Sequence, residues 1–428
     1  MTKWDSVSLG ELLVESNIPS ENPDPNKRIT VRLNVEGVEK RPFRKETKGA
    51  TKYYVRKAGQ FIYGKQNLHK GAFGIIPEEL DSYESTADLP AFDINKSRVL
   101  PEWLMLVLIK DKFYEKLECI ASGSATKRIH PEKLFKVKIP LPSIEEQRNI
   151  LTEYNKLKNC NNKINNIIDD SKKLVSRLRQ SILQEAVQGK LVPQDPNDEP
   201  ASILLEKIKK EKERLIKEGK IKKEKPLPPI KDDEIPYELP KGWEWVRLEN
   251  ISEVIMGQSP PGDTYNDKGE GVPLINGPIE FGSDDFSKTV KIKYTTKPTK
   301  MCNEGDLLIC VRGSTTGRTN IAGFDACIGR GVAAIKTKIE KKYLHYFIVF
   351  YKDIILNTSR GSTFPNITIG QLSNIIVPLP PLNEQKRIVE KVDQLMALCD
   401  ELEKNIEQCK KDSELLMQSV LQEAFKEK

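Results

Sequence analysis

The feature that most constrains this fold is an internal repeat. The stretch IPLPSIEEQRNI begins at Ile139, and VPLPPLNEQKRI begins at Val377. A second pair, SILQEA from Ser181 and SVLQEA from Ser419, has the same offset of 238 residues (377 − 139 and 419 − 181). Because flexible loops tolerate insertions, equal lengths between the two phrases indicate a rigid spacer. The period is far longer than that of a solenoid, so the sequence predicts a duplicated domain.

Each copy of the first phrase opens a long amphipathic helix. The segment 143–187 is predicted as one helix, which Ser143 and Glu146 begin with a capping box. Apolar residues recur in two heptad stripes, and the second copy matches both at the same offset. One stripe contains Ile150, Leu157, Ile164, Leu178, Ile388, Leu395, Leu402, Cys409 and Leu416; the other contains Tyr154, Ile168, Val175, Ile182, Val392, Cys399, Ile406 and Val420, with Asn161 and Ser413 as polar members.

A narrow apolar stripe needs a partner. The sequence therefore predicts that the two helices pair in an intramolecular coiled coil, in which Asn161 lowers stability but helps to fix the register. Two domains related by a pseudo-twofold axis would send their helices in opposite directions, so the pair is expected to be antiparallel. Two unrelated helices, each on its own domain surface, are the alternative.

A domain of about 140 residues precedes each helix. The domain openings match at Trp4-x-x-Val7 and Trp243-x-x-Val246, whereas the interiors differ. A weaker match joins AGQFIY (58–63) to EGDLLI (304–309), each a Gly turn before a short strand. The predicted fold class is α+β, with two pseudo-twofold-related α/β globular domains joined by two long antiparallel helices. The predicted boundaries are 1–142 and 241–380 for the domains, 143–187 and 381–428 for the helices, and 188–240 for a linker with a helix from about Ala201.

Composition narrows the function classes. We expect no membrane span, because no apolar run is long enough. The seven cysteines include no C-x-x-C pair and there are three histidines, which argues against a zinc site. Free thiols and the absence of an N-terminal signal core favour the cytoplasm. The net charge is +7, but residues 204–225 carry ten Lys or Arg against five Glu, as a solvated helix would, so bulk charge does not establish nucleic-acid binding.

The sequence offers no catalytic constellation. The stretch GQFIYGKQ (59–66) approaches a phosphate-binding loop, but Gln66 stands where Ser or Thr must bind Mg²⁺ and Phe61-Ile62-Tyr63 is typical of a strand. The stretch SPPG (259–262) has Gly262 in place of the aromatic residue that would stack on an extruded base. We therefore expect no cofactor bound by this chain and no catalytic or metal-binding residues.

Polar, basic, Gly-punctuated loops occupy similar places in both domains. Arginine can pair with guanine, Asn and Gln with adenine, and Ser and Thr with phosphates. Ordinary surface turns remain the alternative for each loop, and His69 alone is more typical of a surface position than of a base reader. The candidate DNA-binding residues are Lys65, Gln66, Asn67, His69, Lys70, Lys127 and Arg128 in the first domain, and Gln258, Ser259, Arg312, Ser314, Thr315, Thr316, Arg318, Arg360, Ser362, Thr363 and Asn366 in the second.

Four groups of phrases span the chain from end to end. They are PLPSIEEQRNI and PLPPLNEQKRI, SILQEAVQGKLVPQDPNDEPASILLEKI, LPKGWEWVRLENI, and the GS-x-x-x-x-I phrase before each Pro-Leu-Pro. In these phrases the chain resembles the specificity (S, HsdS) subunit of type I restriction–modification systems. The resemblance implies that each globular domain is a target recognition domain that reads one half of a bipartite, asymmetric site in double-stranded DNA.

The resemblance also implies a division of labour. The subunit is expected to have no catalytic activity. Two modification (HsdM) subunits would supply S-adenosylmethionine and N6-adenine methylation, and restriction (HsdR) subunits would supply ATP- and Mg-dependent translocation and cleavage. Two other readings stay open: a coiled-coil scaffold that never touches DNA, and a self-contained DNA-modifying enzyme, for which no methyl-donor or metal motif is visible.

Overall fold

The computed structural model describes residues 4–43, 51–123, 126–219, 228–358 and 366–424. The chain forms two compact units, Met1–Asp169 with Glu407–Lys428, and Asp170–Ile406. Each unit contains one globular domain and part of both long helices. No helix within the described residues is both long and apolar enough to cross a membrane.

The first domain consists of short strands and helices. Its strands are β1 (Asp5–Ser8), β2 (Leu13–Ser16), β3 (Ile29–Val31), β4 (Val38–Lys40), β5 (Tyr53–Val55), β6 (Phe61–Tyr63), β7 (Phe73–Ile75), β8 (Glu84–Thr86), β9 (Ala91–Ile94) and β10 (Lys138–Leu141). Its helices are α1 (Pro101–Ile109), α2 (Phe113–Lys116) and α3 (Pro131–Leu134), and α4 (Ile144–Val187) follows β10.

An antiparallel sheet in the order β2-β9-β6-β7 carries the core of this domain. The rings of Phe61, Tyr63, Phe73 and Phe92 are fully buried, with Phe61 and Tyr63 both packed against Phe92 at 6.3 and 5.8 Å between ring centroids. Ile62 points to a second apolar cluster on the other face of the sheet. The strand predicted for residues 61–63 is thus confirmed, and both faces of this central strand are covered.

The second domain repeats this sheet and adds another. Its strands are β11 (Glu244–Arg247), β12 (Ser252–Met256), β13 (Tyr265–Asn266), β14 (Val272–Ile275), β15 (Lys293–Thr295), β16 (Met301–Cys302), β17 (Leu307–Cys310), β18 (Thr319–Ile321), β19 (Ala326–Ile328), β20 (Val332–Thr337) and β21 (Ile376–Leu379). The helices of this unit are α5 (Ala201–Lys217), α6 (Leu248–Ile251), α7 (Lys341–Thr358), α8 (Ile369–Ser373) and α9 (Leu382–Ala424).

The antiparallel order β12-β20-β17-β18 corresponds strand for strand to β2-β9-β6-β7. Gly59 and Gly305 precede the central strands β6 and β17 with φ of +78° and +81°, a left-handed conformation that glycine adopts without strain. The weak match between AGQFIY and EGDLLI therefore marks equivalent strands. The second domain differs by a mixed sheet, β13-β15-β14-β19-β16, in which β14 and β19 run parallel.

The matching ends of each domain meet in a two-stranded ladder. β1 pairs with β10, with Val7 opposite Ile139, and β11 pairs with β21, with Val246 opposite Val377. All four of these side chains are buried. The Trp-x-x-Val opening and the Pro-Leu-Pro closing phrase thus bring the start and end of each domain together, directly before its long helix.

The repeated glutamine explains why the phrase recurs. The Gln147 amide oxygen accepts a hydrogen bond from the Leu100 N–H at the start of α1, and its nitrogen donates to the Pro142 carbonyl. Gln385 makes the same pair of bonds, from the Glu340 N–H before α7 and to the Pro380 carbonyl. Both side chains are fully buried. Each glutamine satisfies backbone groups at the junction of strand, long helix and domain helix, which an apolar residue would leave unpaired.

The repeated glutamate has different partners in the two copies. Glu146 accepts from the Ser143 N–H and Oγ, which confirms the predicted capping box. Glu384 is instead buried, and it accepts from Trp243 Nε1 at 3.0 Å and from Gln194 Nε2 at 3.2 Å. Burial raises the pKa of the Glu384 carboxyl group above its usual value. Within the part of the chain that the structure describes, the second copy therefore uses this glutamate to hold a segment that follows α4, whereas the first copy uses it to cap its own helix.

The segment after α4 packs on the second domain. Arg387 forms an ion pair with Asp198 at 2.6 Å, and the Ala201 N–H donates to the Gly242 carbonyl. Ala201 and Ile208 of α5 are buried in the same apolar cluster as Trp243. The helix predicted from about Ala201 is confirmed.

The long helices pair through one of the two predicted stripes. In the first unit the Ser413 hydroxyl donates to the Asn161 amide oxygen, so the two polar members meet. In the second unit Arg179 binds Asp400 and Glu403, and the chain beyond α4 binds the start of α9; these helix segments therefore run antiparallel. The members of this stripe that are buried are Ile168, Val175, Ile182, Val392, Cys399 and Ser413.

The other stripe is partly exposed. Ile164 and Leu178 of α4 are 37% and 45% exposed, and Leu402 and Leu416 of α9 are 45% and 56% exposed. The expectation that these positions are buried between the two long helices is wrong. Within each unit the helices contact mainly through the stripe that contains Val175 and Cys399. The long helices thus keep an apolar surface that the described residues of the chain leave uncovered.

Candidate nucleic-acid interface

Backbone hydrogen bonds bring the predicted DNA-contacting loops together in each domain. The Ile129 N–H donates to the Lys65 carbonyl at 2.8 Å, and the Ile367 N–H donates to the Val311 carbonyl at 2.9 Å. Lys65 follows β6 and Val311 follows β17, so the two bonds are equivalent. In each domain the loop after the central strand therefore lies beside the loop that precedes the last strand.

In the first domain these loops form a polar, basic corner. Lys65, Gln66 and Asn67 are half-buried, whereas Lys70 is exposed. The two cations of the neighbouring loop have carboxylate partners: Lys127 lies 2.6 Å from Glu118, and Arg128 lies 3.6 Å from Asp88. Exposed pairs of this kind contribute little stability, so a phosphate can replace the carboxylate at low cost.

His69 is placed differently from the sequence-based expectation. Its side chain lies in a 3₁₀ turn, Leu68–Lys70, and is only 9% exposed. The expectation of a surface position is wrong, because Leu68 and His69 both turn inward while Lys70 turns outward. The imidazole ring is thus not on the face of the loop that is open to solvent.

In the second domain the loops surround a cavity of about 670 Å³. Its lining contains Ser259 and Arg312, which the sequence had indicated, and three polar side chains that it had not, Tyr265, Asn276 and Arg330. Arg330 lies in a Gly-Arg-Gly turn directly after β19, the same kind of Gly-punctuated basic loop as that of Arg312. That signal was present in the sequence. Asn276 and Tyr265 carry no comparable signal, because their position depends on the additional sheet.

Among the described residues, no acidic side chain lines the cavity. Its two arginines are exposed, and neither forms an ion pair with the described residues of the chain. Other cations of the domain do: Lys352 binds Asp285 at 2.7 Å and Arg247 binds Glu234 at 3.0 Å. The cavity is therefore a positively charged recess, a setting suited to phosphate oxygens or to the acceptor edge of a base.

The remaining candidates of the second domain lie around this recess or apart from it. Gln258 and Ser314 are exposed beside it, and Asn366 bridges Arg312 through the backbone. Thr315, Thr316 and Arg318 instead line a separate cavity of about 420 Å³ that contains Asp284 and Asp285.

Arg318 has an internal partner. Its guanidinium donates to the Gly282 carbonyl at 2.5 Å and lies 5.9 Å from the ring centroid of Phe281. The single basic loop predicted over 310–320 is thus divided: Arg312 faces the recess, whereas Arg318 is bound to its own domain. Arg360, Ser362 and Thr363 lie outside the described residues.

Burial changes the pKa of three side chains in the second domain. Burial lowers the pKa of His345 to about 4 and raises that of the Cys302 and Cys310 thiols to about 11, so all three are uncharged at neutral pH. Within the described part of the chain, no cluster of His, Cys, Asp and Glu could hold a metal ion.

Both domains thus share one frame, which consists of the four-stranded sheet, the two-stranded ladder and the start of a long helix. They differ in the polar loops that follow the central strand. This defines a class of protein with two similar domains, different polar loops and paired long helices. Comparison with known proteins identifies the family. The model described as "Type I restriction modification DNA specificity domain" matches residues 1–170 and 240–409. The chain belongs to this family. The predicted α+β fold class, with two recognition domains and paired long helices, is confirmed.

Individual relatives agree with this assignment. The chain is 36% identical over 263 residues to the type I restriction enzyme EcoAI specificity subunit of Escherichia coli, an alignment that covers 58% of this chain and 44% of that subunit. It is 31% identical to the putative MjaX specificity subunit of Methanocaldococcus jannaschii, with 76% and 68% covered. The chain thus aligns with less than half of the EcoAI protein.

Two solved structures resemble the chain over its whole length. A chain from a study of complex assembly and conformational transition in a type I R-M system has a TM-score of 0.72 at 25% identity, with 99% of this chain and 98% of that chain covered. The HsdS subunit of Thermoanaerobacter tengcongensis has a TM-score of 0.61 at 24% identity, with 99% and 97% covered; it supports the fold.

Proposed function

We propose that this chain is the DNA sequence-specificity subunit of a type I restriction–modification complex. Each globular domain reads one half of a bipartite, asymmetric target in double-stranded DNA, and the two long helices set the distance between the halves. The chain itself performs no catalysis. Its place of action is the cytoplasm, where the DNA and the partner subunits are found.

The observation that carries this proposal is a constant frame with variable corners. The ladder, the sheet order and the buried glutamine are the same in both domains. The side chains at the equivalent corner differ: Gln66 follows Lys65 in one domain and Arg312 follows Val311 in the other. A scaffold gains nothing from such variation, whereas a protein that reads two different half-sites requires it, because base identity is read by side-chain chemistry.

The length of the helices supports the proposal that they set the distance between the two half-sites. α4 has 44 residues, a length of about 66 Å at 1.5 Å per residue. The exposed apolar positions on these helices, Ile164 and Leu178 on α4 and Leu402 and Leu416 on α9, are candidate docking positions for the two modification subunits. These subunits would bring S-adenosylmethionine and extrude the target adenine, and restriction subunits would bring ATP and Mg²⁺.

Methylome sequencing tests the proposal. The chain is expressed together with its modification subunit in cells that lack other adenine methylation. The expected result is an asymmetric split motif, methylated at adenine in both halves. Absence of methylation with a modification subunit of proven activity would contradict the proposal and favour a scaffold. Methylation or cleavage by the purified chain alone would indicate a self-contained enzyme.

A further inference from the structure

Four chain segments converge on one corner of the second domain. Ser259 follows β12, Asn276 follows β14 and Arg312 follows β17, while Arg330 stands in the turn from β19 to β20. The strand registers explain the convergence. The ends of β14 and β19 meet because these strands are parallel, with Ile275 beside Ile328. The ends of β12 and β17 meet the start of β20 because both are antiparallel to it.

Three hydrogen bonds hold the backbone of the Arg330 turn. The Val332 N–H donates to the Gly329 carbonyl at 3.0 Å, which closes the turn. The Gly329 N–H donates to the Ile275 carbonyl at 2.9 Å, and the Arg330 N–H donates to Ser259 Oγ at 3.3 Å. Arg330 therefore projects from a closed turn that is tied to β14 and to the loop after β12.

Close packing leaves no room for side chains beside Arg330. A Cβ atom on Gly329 would lie 2.0 Å from Asn276 Oδ1, and one on Gly331 would lie 2.9 Å from the Asn276 carbonyl oxygen. Both glycines are needed for this approach of the backbone to Asn276. The turn thus presents one long side chain, and that side chain is exposed at the recess.

We propose that Arg330, together with Arg312, reads guanine in the half-site bound by the second domain. Two guanidinium groups border a recess into which the described residues bring no carboxylate. A guanidinium matches the O6 and N7 acceptors of guanine in the major groove with two parallel hydrogen bonds. Reading a base requires more positional accuracy than holding a phosphate, and the fixed turn supplies it to Arg330. This inference rests on the proposed function and adds the residues and the base.

Phosphate oxygens are the other acceptors that two arginines would bind. The Arg330→Lys variant distinguishes a guanine contact from a phosphate contact. Lysine keeps the positive charge but lacks the planar guanidinium fork that matches guanine. Lys338→Ala is the matched control: it removes one exposed cation directly after the far end of β20, about 20 Å along the strand from Arg330.

The experiment is methylome sequencing of the complex with wild-type chain, Arg330→Lys, Arg330→Ala and Lys338→Ala, with the thermal unfolding of each chain measured in parallel. The expected result is loss of the guanine requirement at one position of one half-site in both Arg330 variants, with the other half and the Lys338→Ala motif unchanged. An unchanged motif in the Arg330 variants, or a wild-type motif without a G·C pair in either half-site, overturns the inference. No split motif with the wild-type chain overturns the proposed function itself, and the inference with it.

A duplex that carries 7-deazaguanine at the assigned position provides a second measurement. The analogue lacks the N7 acceptor, so the wild-type complex should bind it about 5- to 150-fold more weakly than the unmodified duplex. The Arg330→Ala complex should bind both duplexes within about twofold, because the contact is already lost. Equal affinity of the wild-type complex for both duplexes contradicts guanine reading, and a uniform loss of affinity in Arg330→Ala on every sequence indicates a phosphate contact instead.

Discussion

The polar corners of the two domains occupy the same place in the fold but differ in charge. In both, a residue that follows the central strand donates its N–H to the segment before the adjacent strand of the sheet: Lys65, two residues after β6, to the Asp88 carbonyl, and Val311, directly after β17, to the Gly331 carbonyl. The first corner therefore contains the carboxylate of Asp88, where the second has Arg330 next to Gly331. The comparison indicates that the shared sheet and ladder determine the position of the polar loops, whereas the side chains of these loops determine which chemical groups they can bind.

The largest expected effect concerns the frame. Deleting seven residues from both long helices together should shorten the spacer of the DNA target by about 10 Å, or about three base pairs, since each residue contributes 1.5 Å and the heptad register is kept. Methylome sequencing of the variant complex checks this. Both half-sites should stay the same, and a changed half-site would count against separate roles for helices and corners.

The buried glutamines should matter for stability in both domains. Gln385→Ala leaves the Glu340 N–H and the Pro380 carbonyl without their partner, and we expect a loss of about 2–4 kcal/mol in the free energy of unfolding. Gln147→Ala should cost at least as much, because the Gln147 amide nitrogen also donates to the Arg98 carbonyl. Denaturant unfolding measures both, with the exposed neighbours Lys386→Ala and Arg148→Ala as controls. An effect in only one copy would show that the frame is not shared.

A corner substitution should affect one half-site only. Arg312→Ala is expected to weaken binding of the complex to its cognate duplex by about 1–3 kcal/mol and to relax base preference in a single half-site. Titration of duplexes with substitutions in either half measures this. Arg318→Ala is the informative contrast, because the Arg318 guanidinium binds the Gly282 carbonyl and should affect stability more than base preference. Unchanged affinity and preference would remove Arg312 from the interface.

The smallest effect on stability is expected for the Asn161–Ser413 hydrogen bond between the two long helices. Asn161→Ala removes the acceptor of the Ser413 hydroxyl, which lies on a residue that is 6% exposed. We expect a loss of about 1 kcal/mol in unfolding free energy. The double variant Asn161→Ala/Ser413→Ala should recover part of that loss, because no buried hydroxyl is left unpaired. If the loss of unfolding free energy in the double variant equals the sum of the losses in the two single variants, the two side chains do not interact.

The sequence predicted the parts of the fold that repeat. The matched phrases located the long helices and the central strands, since equal spacing and heptad register are visible without coordinates. They marked the two ends of each domain but did not show that these ends pair in a ladder. They did not reveal which stripe is buried, because both stripes have the same period and only the packing distinguishes Val175 from Leu178.

The candidate interface was predicted less completely. Arg312 followed from its place after a buried strand, whereas Asn276 and Tyr265 reach the recess through the mixed sheet, which has no counterpart among the described residues of the first domain. Arg318 resembled Arg312 in sequence, but its partner, the Gly282 carbonyl, lies 36 residues away in the chain. Contacts of that range are not encoded in local pattern, so basic residues in one loop could not be sorted into those free for DNA and those bound internally.

The measurement that tests the central claim most directly is methylome sequencing of a chain in which residues 5–141 are replaced by residues 244–379, which exchanges one domain between equivalent ladders. The thermal unfolding of the chimera is measured first to establish that it folds. If each domain reads its half-site independently of the other, the asymmetric target becomes a symmetric one that contains the second domain's half-site twice. A folded chimera that keeps the original asymmetric motif would contradict the account.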